Sequence, residues 1–354
     1  MTRRRTARRG LGAILACGLA ACGGPARPRI EIDSPLERQV VQREEPDDAA
    51  LVTIRGTLAG EVANVEFQAE LATGRSMRWE TAALTPPEAG RRRFSAHLRL
   101  PAGGWHTIWA RTTPGSQPTR VVERIGIGEV FITAGQSNAT NSGEAPFPAL
   151  NDRVSAFDGR SWSTARDPMP GMQDRSAGGS PWPVFGDRLA TALEVPVGIA
   201  CVGRGNSSID DWQPDGPLFP ALRERLTALR RIRAVLWHQG ERDAARGMSA
   251  ADYVAKFQRL RDGLARDTGQ SPFWIVARAS FLPDTDQAAM REIRLAQETL
   301  WRQGDALPGP STDELRGGVR ARDDTHFNPA GLRLHGELWF AQVWAALYPA
   351  GSGP

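Results

Sequence analysis

The sequence predicts an α/β fold of three α/β/α layers around a parallel sheet, preceded by a small all-β sandwich. From about residue 51 to residue 125, apolar residues alternate with polar or small ones, which is typical of half-buried antiparallel strands. After Gly126 the pattern changes to short apolar strands that alternate with helical segments, as in parallel α/β folds. At roughly 150 residues per domain, the 354 residues are long enough for two or three domains.

Residues 1–21 have the layout of a secretory signal, with five arginines in Met1–Arg9 and apolar or small residues after them. The sequence Leu-Ala-Ala-Cys22 resembles the lipobox of bacterial lipoproteins, which implies that Cys22 is acylated and becomes the first residue of the mature chain. The alternatives are an ordinary cleaved signal with an incidental Cys22 and, from the paired arginines, twin-arginine export. A membrane span would need about 20 apolar residues. We therefore expect an exported protein, held by its lipid alone on the bacterial envelope, at the periplasmic face or the cell surface.

The charge balance argues against a nucleic-acid partner. The whole chain carries 44 basic and 40 acidic side chains, a net charge of +4. Removing residues 1–21 takes away five arginines and no acidic residue, which leaves 39 basic against 40 acidic side chains. A protein this close to neutral has no bulk attraction for an acidic polymer.

The segment before residue 126 divides into a tether and a sandwich. Residues 22–50 contain several prolines and an acidic run, and they predict a tether that leads into a first strand. Residues 51–125 predict an Ig-like or fibronectin-like sandwich. Two of its strands would bury alternate residues, namely Val65, Phe67, Ala69 and Leu71, and Phe94, Ala96, Leu98 and Leu100. Such a domain could bind sugar, but a passive scaffold packed on the following domain is the preferred interpretation.

Residues 126–350 predict the α/β domain. Strands are expected near 129–134, 196–202, 232–238, 273–279 and 316–322. Helices are expected at 182–194, 217–230, 250–267, 286–303 and 329–347, the last beginning at Asn328-Pro329. In such a sheet, ligands bind outside the carboxyl ends of the strands, so catalytic residues are expected in the loops there.

Ser137 follows the first of these strands in the sequence Gly135-Gln-Ser-Asn138, where the strand turns toward a helix. Serine and asparagine are also common helix caps, so the position alone does not distinguish a cap from a nucleophile. A serine hydroxyl is a weak nucleophile at neutral pH. It needs a base and an orienting acid elsewhere in the chain.

His326 is the histidine best placed to serve as that base, because the polar loop that contains it lies at the same sheet edge as Ser137. Asp323, three residues earlier, can accept the Nδ1 proton across a turn and leave Nε2 facing the serine, as in a Ser-His-Asp triad. Asp324 is the competing orienter, but its spacing of two favours the other side of the turn. A loop that only caps the last helix is the structural alternative. The histidines within predicted strands or helices are interpreted as structural: His97, His106 and His335.

The loops after the second and third strands can supply donors to an oxyanion. The glycine-rich turn 203–212 can present backbone N–H groups, with Gly205 as the first candidate, and it lacks the spacing of phosphate-binding loops. In the segment 237–243, Gln239 can donate its side-chain amide. Glu241 and Asp243 are expected to fix this loop through hydrogen bonds to backbone.

Neither a metal nor another cofactor is expected. His238, Glu241 and Asp243 do not have a known ligand spacing. The cysteines are too few and too scattered for a disulfide scaffold or a zinc site: Cys17, Cys22 and Cys201. Cys201 falls in a predicted strand and is expected to be buried and inert.

Together these motifs resemble the SGNH hydrolase superfamily, and within it the sialate O-acetylesterase and carbohydrate acetylesterase branch. The resemblance covers residues 126–348 and rests on Gly-Gln-Ser-Asn, Trp-x-Gln-Gly-Glu-x-Asp and Asp-x-x-His-Phe, in that order at strand ends. It implies a flavodoxin-like α/β/α domain. The implied roles are Ser137 as nucleophile and first oxyanion N–H, Gly205 and Gln239 as further oxyanion donors, His326 as base and Asp323 as its orienter.

The loop after the second strand departs from the family pattern. The family usually has Gly-Gly-Thr where this chain has Gly205-Asn206-Ser207, so the Asn206 side chain can crowd or decorate the oxyanion loop. The residues expected to bind substrate or support the loops are Asn138, Asn206, Trp212 and Glu241. Trp212 is the first candidate for stacking on a sugar ring, ahead of Trp162 and Trp182, with a core position as the alternative.

The resemblance implies a serine esterase that removes acetyl or other short acyl groups from carbohydrate hydroxyls through an acyl-enzyme. Its substrate would be an O-acetylated glycan or a sialic-acid-like sugar. One alternative is an O-acyltransferase acting on envelope polysaccharide, and another is a non-catalytic glycan-binding or structural lipoprotein. A lipase or thioesterase of the same superfamily is disfavoured, because the sequence contains no long apolar lid.

Overall fold

The computed structural model describes residues 28–45, 48–113 and 116–348. The expected signal, residues 1–21, and the expected lipid attachment site at Cys22 lie outside these ranges. Within the described ranges, no helix combines the length and the apolar character needed to cross a bilayer.

The N-terminal part is built from two facing layers of strands. One layer has the order β1-β3-β7-β6, and its pairs are antiparallel. In the other layer, β8 pairs with β4 and with the start of β9, and β2 lies parallel to β9. The strands are β1 (Arg29–Ser34), β2 (Val40–Gln42), β3 (Ala49–Ala59), β4 (Asn64–Glu70), β5 (Glu80–Thr81), β6 (Ala83–Leu84), β7 (Arg91–Pro101), β8 (Gly103–Thr113) and β9 (Thr119–Gly135). The eight residues expected on the inner faces of two strands are all buried, which confirms their period of two.

Strand β9 connects the two parts of the molecule. Its first half pairs with β8, and its second half enters the central sheet, where Glu129–Thr133 pairs with one neighbour and Phe131–Gly135 with the other. The expected domain boundary between residues 125 and 126 falls inside this continuous strand. The sandwich and the α/β layer therefore share one eleven-stranded sheet.

The central sheet has the order β11-β10-β12-β9-β13-β14-β15, and all neighbours except β10 and β11 are parallel. Its remaining strands are β10 (Val154–Phe157), β11 (Trp162–Thr164), β12 (Val197–Cys201), β13 (Ala234–His238), β14 (Phe273–Arg278) and β15 (Leu307–Ser311). The helices are α1 (Trp182–Leu193), α2 (Phe219–Leu229), α3 (Glu241–Ala245), α4 (Ala250–Thr268), α5 (Gln287–Gln303) and α6 (Pro329–Leu347).

Helices cover both faces of this sheet. Val130, Ile132 and Ala134 of β9 pack into the core formed with α2, α4 and α5. Phe131, which points the opposite way, packs with α1 and α6. Side chains of a strand alternate between the two faces of a sheet, so β9 contributes to both cores. The three-layer fold class predicted from the sequence is confirmed.

The helix boundaries agree with the sequence prediction within two residues, but the prediction of the fifth strand was wrong. A strand was expected at 316–322, whereas that segment contains a short 3-10 helix at Gly317–Val319. The fifth parallel strand of the predicted set is β15, with sequence Leu-Pro-Gly-Pro-Ser. Proline lacks the N–H that a central strand donates, and β15 tolerates two prolines because it lies at the sheet edge.

Candidate active site

Ser137 lies immediately beyond the carboxyl end of β9. Gly135 there has φ +134°, and a Cβ at that position would lie 2.0 Å from the carbonyl oxygen of His238 on the neighbouring strand, so only glycine fits. The chain then forms a short 3-10 helix at Ser137–Ala139, whose N-cap position is occupied by Gln136. Ser137 is therefore not the cap of this helix, and its half-buried side chain remains at the sheet edge.

The loop after β12 places Gly205 beside Ser137. A Cβ built on Gly205 would lie 3.9 Å from Cβ of Ser137. Asn206 follows at the exposed tip of the loop with φ +56°, a left-handed conformation that asparagine tolerates better than most residues. Gly205 thus lies beside the candidate nucleophile, while Asn206 is exposed to solvent.

The N–H of Gly205 already has an acceptor. It donates to Oδ2 of Asp174 at 2.5 Å. Asp174 lies in the long loop between β11 and α1, and sequence reasoning missed it because nothing in the run around residue 174 has a recognisable motif. Only the fold brings this loop next to the glycine-rich turn.

Gln239 is placed differently from the sequence prediction, and its expected role as oxyanion donor requires correction. Its side chain is fully buried. Its Nε2 donates to the carbonyl oxygen of Ser207 at 3.0 Å and to Oε1 of Gln136 at 3.3 Å, and it also contacts the carboxylate of Asp243. The two N–H groups of this amide are therefore engaged inside the protein, where they hold the loops after β9 and β12 to the end of β13.

Trp212 also requires correction, because it cannot stack on a sugar. Its ring is 0% exposed, and its Nε1 donates to Oγ of Ser207 at 3.0 Å. It packs edge to face against Trp237 at a centroid distance of 5.2 Å. Trp162 and Trp182 are buried as well. The core alternative holds for all three candidates, since tryptophans next to loops can still fill the space beneath them.

Glu241 and Asp243 connect neighbouring loops from within. Glu241 accepts the backbone N–H of Ser280, beyond β14, at 2.8 Å. Asp243 accepts the N–H of Ile209 at 3.1 Å and the hydroxyl of Ser208 at 2.5 Å. Burial raises the pKa of Asp243 above its usual range. Asn138, only 5% exposed in the turn after Ser137, likewise offers little surface to a substrate.

His326 and Asp323 form a close pair in the loop before α6. Nδ1 of His326 lies 2.6 Å from Oδ2 of Asp323, while Oδ1 of Asp323 accepts the backbone N–H groups of Thr325 and His326 at 3.0 and 2.9 Å. Burial by itself would raise the pKa of Asp323, but these hydrogen bonds outweigh it and hold that pKa below its usual value. Nε2 of His326 has no hydrogen-bond partner among the described residues.

Arg320 anchors the loop that carries this pair. Its guanidinium donates to the carbonyl oxygen of Thr325 at 2.6 Å and to the hydroxyl of Ser280 at 2.9 Å. Burial lowers the pKa of Arg320 to about 10, so it remains charged at neutral pH. On the other side, the carbonyl oxygen of Phe327 accepts the N–H of Glu144 at 2.9 Å, which ties the loop to the segment after Ser137. The loop that carries His326 is thereby fixed to the segment that follows Ser137.

Within the described ranges, no group of three or more histidine, cysteine, aspartate and glutamate side chains is arranged to hold a metal ion. Cys201 is fully buried in β12, and burial raises the pKa of its thiol to about 12. A thiol with that pKa has negligible thiolate at neutral pH and is a poor nucleophile.

Comparison with known proteins gives one family and several structural relatives. A family model described as carbohydrate esterase, sialic acid-specific acetylesterase, matches residues 127–345. A probable carbohydrate esterase from Arabidopsis thaliana is 25% identical over 181 residues, which cover 44% of this chain and 70% of the relative.

Two solved structures have the same fold. One is described as a novel carbohydrate acetylesterase from Xanthomonas citri, with a TM-score of 0.57, 17% identity and coverage of 88% of this chain and 74% of the other. A protein from Arabidopsis thaliana has a TM-score of 0.52, 20% identity and coverage of 62% of this chain and 98% of its own. At these identities the likeness concerns the fold.

Proposed function

Because the chain belongs to the carbohydrate esterase, sialic acid-specific acetylesterase family, and so to the carboxylic ester hydrolases, we propose that it removes O-acetyl or other short acyl groups from carbohydrate hydroxyls by serine catalysis. The observation that carries this proposal is the contact between Asp323 and Nδ1 of His326, which leaves Nε2 of His326 without a partner among the described residues. The loop that holds both residues is hydrogen-bonded to the segment after Ser137. Its substrate would be an O-acetylated glycan or a sialic-acid-like sugar.

In the proposed reaction, Oγ of Ser137 attacks the carbonyl carbon of the ester while Nε2 of His326 takes the hydroxyl proton. Asp323 accepts the Nδ1 proton, which leaves Nε2 free to act as base and stabilises the imidazolium. When the tetrahedral intermediate collapses, the C–O bond to the sugar breaks and His326 returns the proton to the sugar oxygen. Water then adds to the acyl-enzyme in the same way, which releases the carboxylic acid and restores Ser137.

The oxyanion would be stabilised by two backbone donors, the N–H groups of Ser137 and Gly205. Gln239 supports them indirectly, since its amide fixes the carbonyl oxygen of Ser207 two residues after Gly205. Loss of a single oxyanion donor typically costs about 10²- to 10³-fold in kcat.

The proposal is tested with the purified full-length protein, an aryl acetate and a panel of O-acetylated sugars. Ser137→Ala should lower kcat by at least about 10³-fold, because the covalent step is lost. Ser163→Ala, an exposed serine in β11, is the matched control and should keep parental activity. If Ser137→Ala retained full activity on every substrate that the parent cleaves, the assignment of the nucleophile would be rejected. Transfer of acetyl to an added sugar, in preference to release of acetate, would identify an acyltransferase.

The leader supports a further part of the proposal, namely export and anchoring through a lipid on Cys22. The basic stretch, the apolar stretch and the Leu-Ala-Ala-Cys sequence occur in the order expected for a bacterial lipoprotein. Most of the expected tether over residues 22–50 belongs to the sandwich, because it contains β1 and β2, and its acidic residues Glu44 and Glu45 pair with Arg231 and Arg233. Only the stretch between Cys22 and β1 would then link the lipid to the sandwich. Contact with the membrane would be limited to the lipid.

A further inference from the structure

The carboxylate of Asp174 is held at the N–H group that the proposed mechanism assigns to the oxyanion. Its Oδ2 accepts the N–H of Gly205 at 2.5 Å. Its Oδ1 accepts both the backbone N–H and the hydroxyl of Ser176, at 2.9 and 2.5 Å. The contact lies beside the nucleophile, since a Cβ on Gly205 would lie 3.2 Å from Oδ2 of Asp174 and 3.9 Å from Cβ of Ser137.

We propose that Asp174 is an internal plug: in the resting enzyme its carboxylate takes the place of the substrate oxyanion, and substrate must displace it. This inference rests on the proposed function. An oxyanion donor acts when its N–H points at the developing negative charge from about 2.7–3.1 Å. Oδ2 of Asp174 satisfies the same N–H with a full negative charge. Two negatively charged oxygens cannot share this donor without strong repulsion, so the carboxylate has to leave before the tetrahedral intermediate forms.

The surroundings of Asp174 allow the carboxylate to leave while its loop remains in place. The preceding residue, Gln173, is fixed by its N–H to the carbonyl oxygen of Gly203 at 2.9 Å and by its Nε2 to that of Val202 at 2.8 Å. After the contact with Gly205 breaks, Ser176 still provides two donors to the carboxylate. A small rotation of the carboxylate that keeps Oδ1 at Ser176 and moves Oδ2 away from Gly205 is therefore sufficient to expose the Gly205 N–H.

The plug predicts a specific kinetic signature. If only a fraction of the molecules has a free Gly205 N–H, the apparent affinity for substrate is reduced by that fraction. Removing the carboxylate should therefore lower KM and leave kcat unchanged. If about one molecule in ten is open in the parent, kcat/KM rises about tenfold.

The test compares Asp174→Ala and Asp174→Asn with the parent, in the purified full-length protein, on an aryl acetate. Both variants should lower KM at constant kcat. Asp174 accepts from Gly205 with one oxygen and from Ser176 with the other, whereas asparagine has one acceptor oxygen. If that oxygen stays with the two donors of Ser176, the amide NH₂ cannot accept from Gly205, and the effect should match that of alanine. Because the asparagine oxygen keeps the bonds of Ser176 in the loop, this variant decides the result if the alanine variant does not fold. Asp215→Ala, which removes an exposed aspartate on another loop, is the control and should have no effect.

A second readout follows the nucleophile directly. A p-nitrophenyl alkylphosphonate reacts once with Ser137: the Oγ–P bond forms, p-nitrophenolate leaves, and a phosphonyl oxygen enters the oxyanion position. Asp174→Ala should accelerate this stoichiometric release by the same factor as kcat/KM. A fall in kcat at constant KM would show instead that Asp174 supports the oxyanion loop, and unchanged rates in both assays would also overturn the plug. An active parent that Ser137→Ala inactivates would leave the proposed function intact in either case.

Discussion

Replacing Asp323 by asparagine should remove most of the turnover without disturbing the loop. Oδ1 of Asp323 accepts the N–H groups of Thr325 and His326, and an asparagine oxygen can accept the same two bonds. The other carboxylate oxygen, 2.6 Å from Nδ1 of His326, would become an amide NH₂. This donor favours the tautomer with the proton on Nε2, which can no longer accept the proton of Ser137.

The size of the effect follows from the exposure of the pair. With a buried aspartate, the equivalent change in a serine protease triad costs about 10⁴-fold in kcat. Here the side chains of Asp323 and His326 are 50% and 26% exposed. Water can therefore compete with the amide and restore part of the productive tautomer. We expect a loss of about 10²- to 10³-fold in kcat, equivalent to about 2.7–4 kcal/mol of transition-state stabilisation.

Steady-state hydrolysis of an aryl acetate measures this loss, and Asp324→Asn is the matched control. Asp324 is exposed and has φ +51°, a conformation that asparagine accepts without added strain. Its kcat should stay within about twofold of the parent, since its carboxylate makes no hydrogen bond to His326 among the described residues. A kcat of Asp323→Asn within threefold of the parent would refute the orienting role, and a large loss only in Asp324→Asn would transfer that role to Asp324.

Two further predictions concern stability and anchoring. Glu129→Gln should lower the free energy of unfolding by about 3 kcal/mol in urea titrations, because it leaves the side chains of Arg43 and Arg233 around a neutral amide. Burial would raise the pKa of Glu129, but these arginines outweigh it and hold that pKa below its usual value. The stabilisation is therefore present above pH about 4.3 and is lost as the pH falls further, so the stability of the variant should depend less on acid pH. An unchanged urea midpoint would contradict a stabilising role of the Glu129 carboxylate. Cys22→Ala should abolish incorporation of labelled palmitate and release the protein from the membrane fraction, and retained labelling would disprove attachment at Cys22.

The helices and most strands could be predicted because local sequence determines them. Asn328 is an example: its side chain accepts the N–H of Gly331 and Pro329 occupies the first helical position, as the dipeptide predicted. The Asp323–His326 contact was also predictable, since three residues across a turn fix both partners. In each case the interacting groups are close in sequence.

The errors arise where long-range packing decides the direction of a side chain. Gln239 follows a strand end in the expected motif, yet its amide turns inward because Ser207 and Gln136, from two other loops, provide acceptors there. Trp212 fills space beneath its own loop for the same reason. Asp174 contacts Gly205, which follows it by 31 residues in the chain. The loop that contains Asp174 has no helix or strand of its own. A motif fixes which residue is present at a strand end, and the surrounding elements fix where its side chain points.

The contacts at β9 favour a scaffold role for the sandwich. Gln42, in β2, accepts the N–H of Val130 at 2.8 Å and donates to Glu129 at 2.9 Å. Both contacts are made on β9, seven and eight residues before Ser137. The sandwich therefore fixes the position of β9 and the buried carboxylate of Glu129. This strand leads directly to the proposed nucleophile. A module that only bound sugar would not need to share this strand, whereas a support for the sheet edge beside Ser137 would.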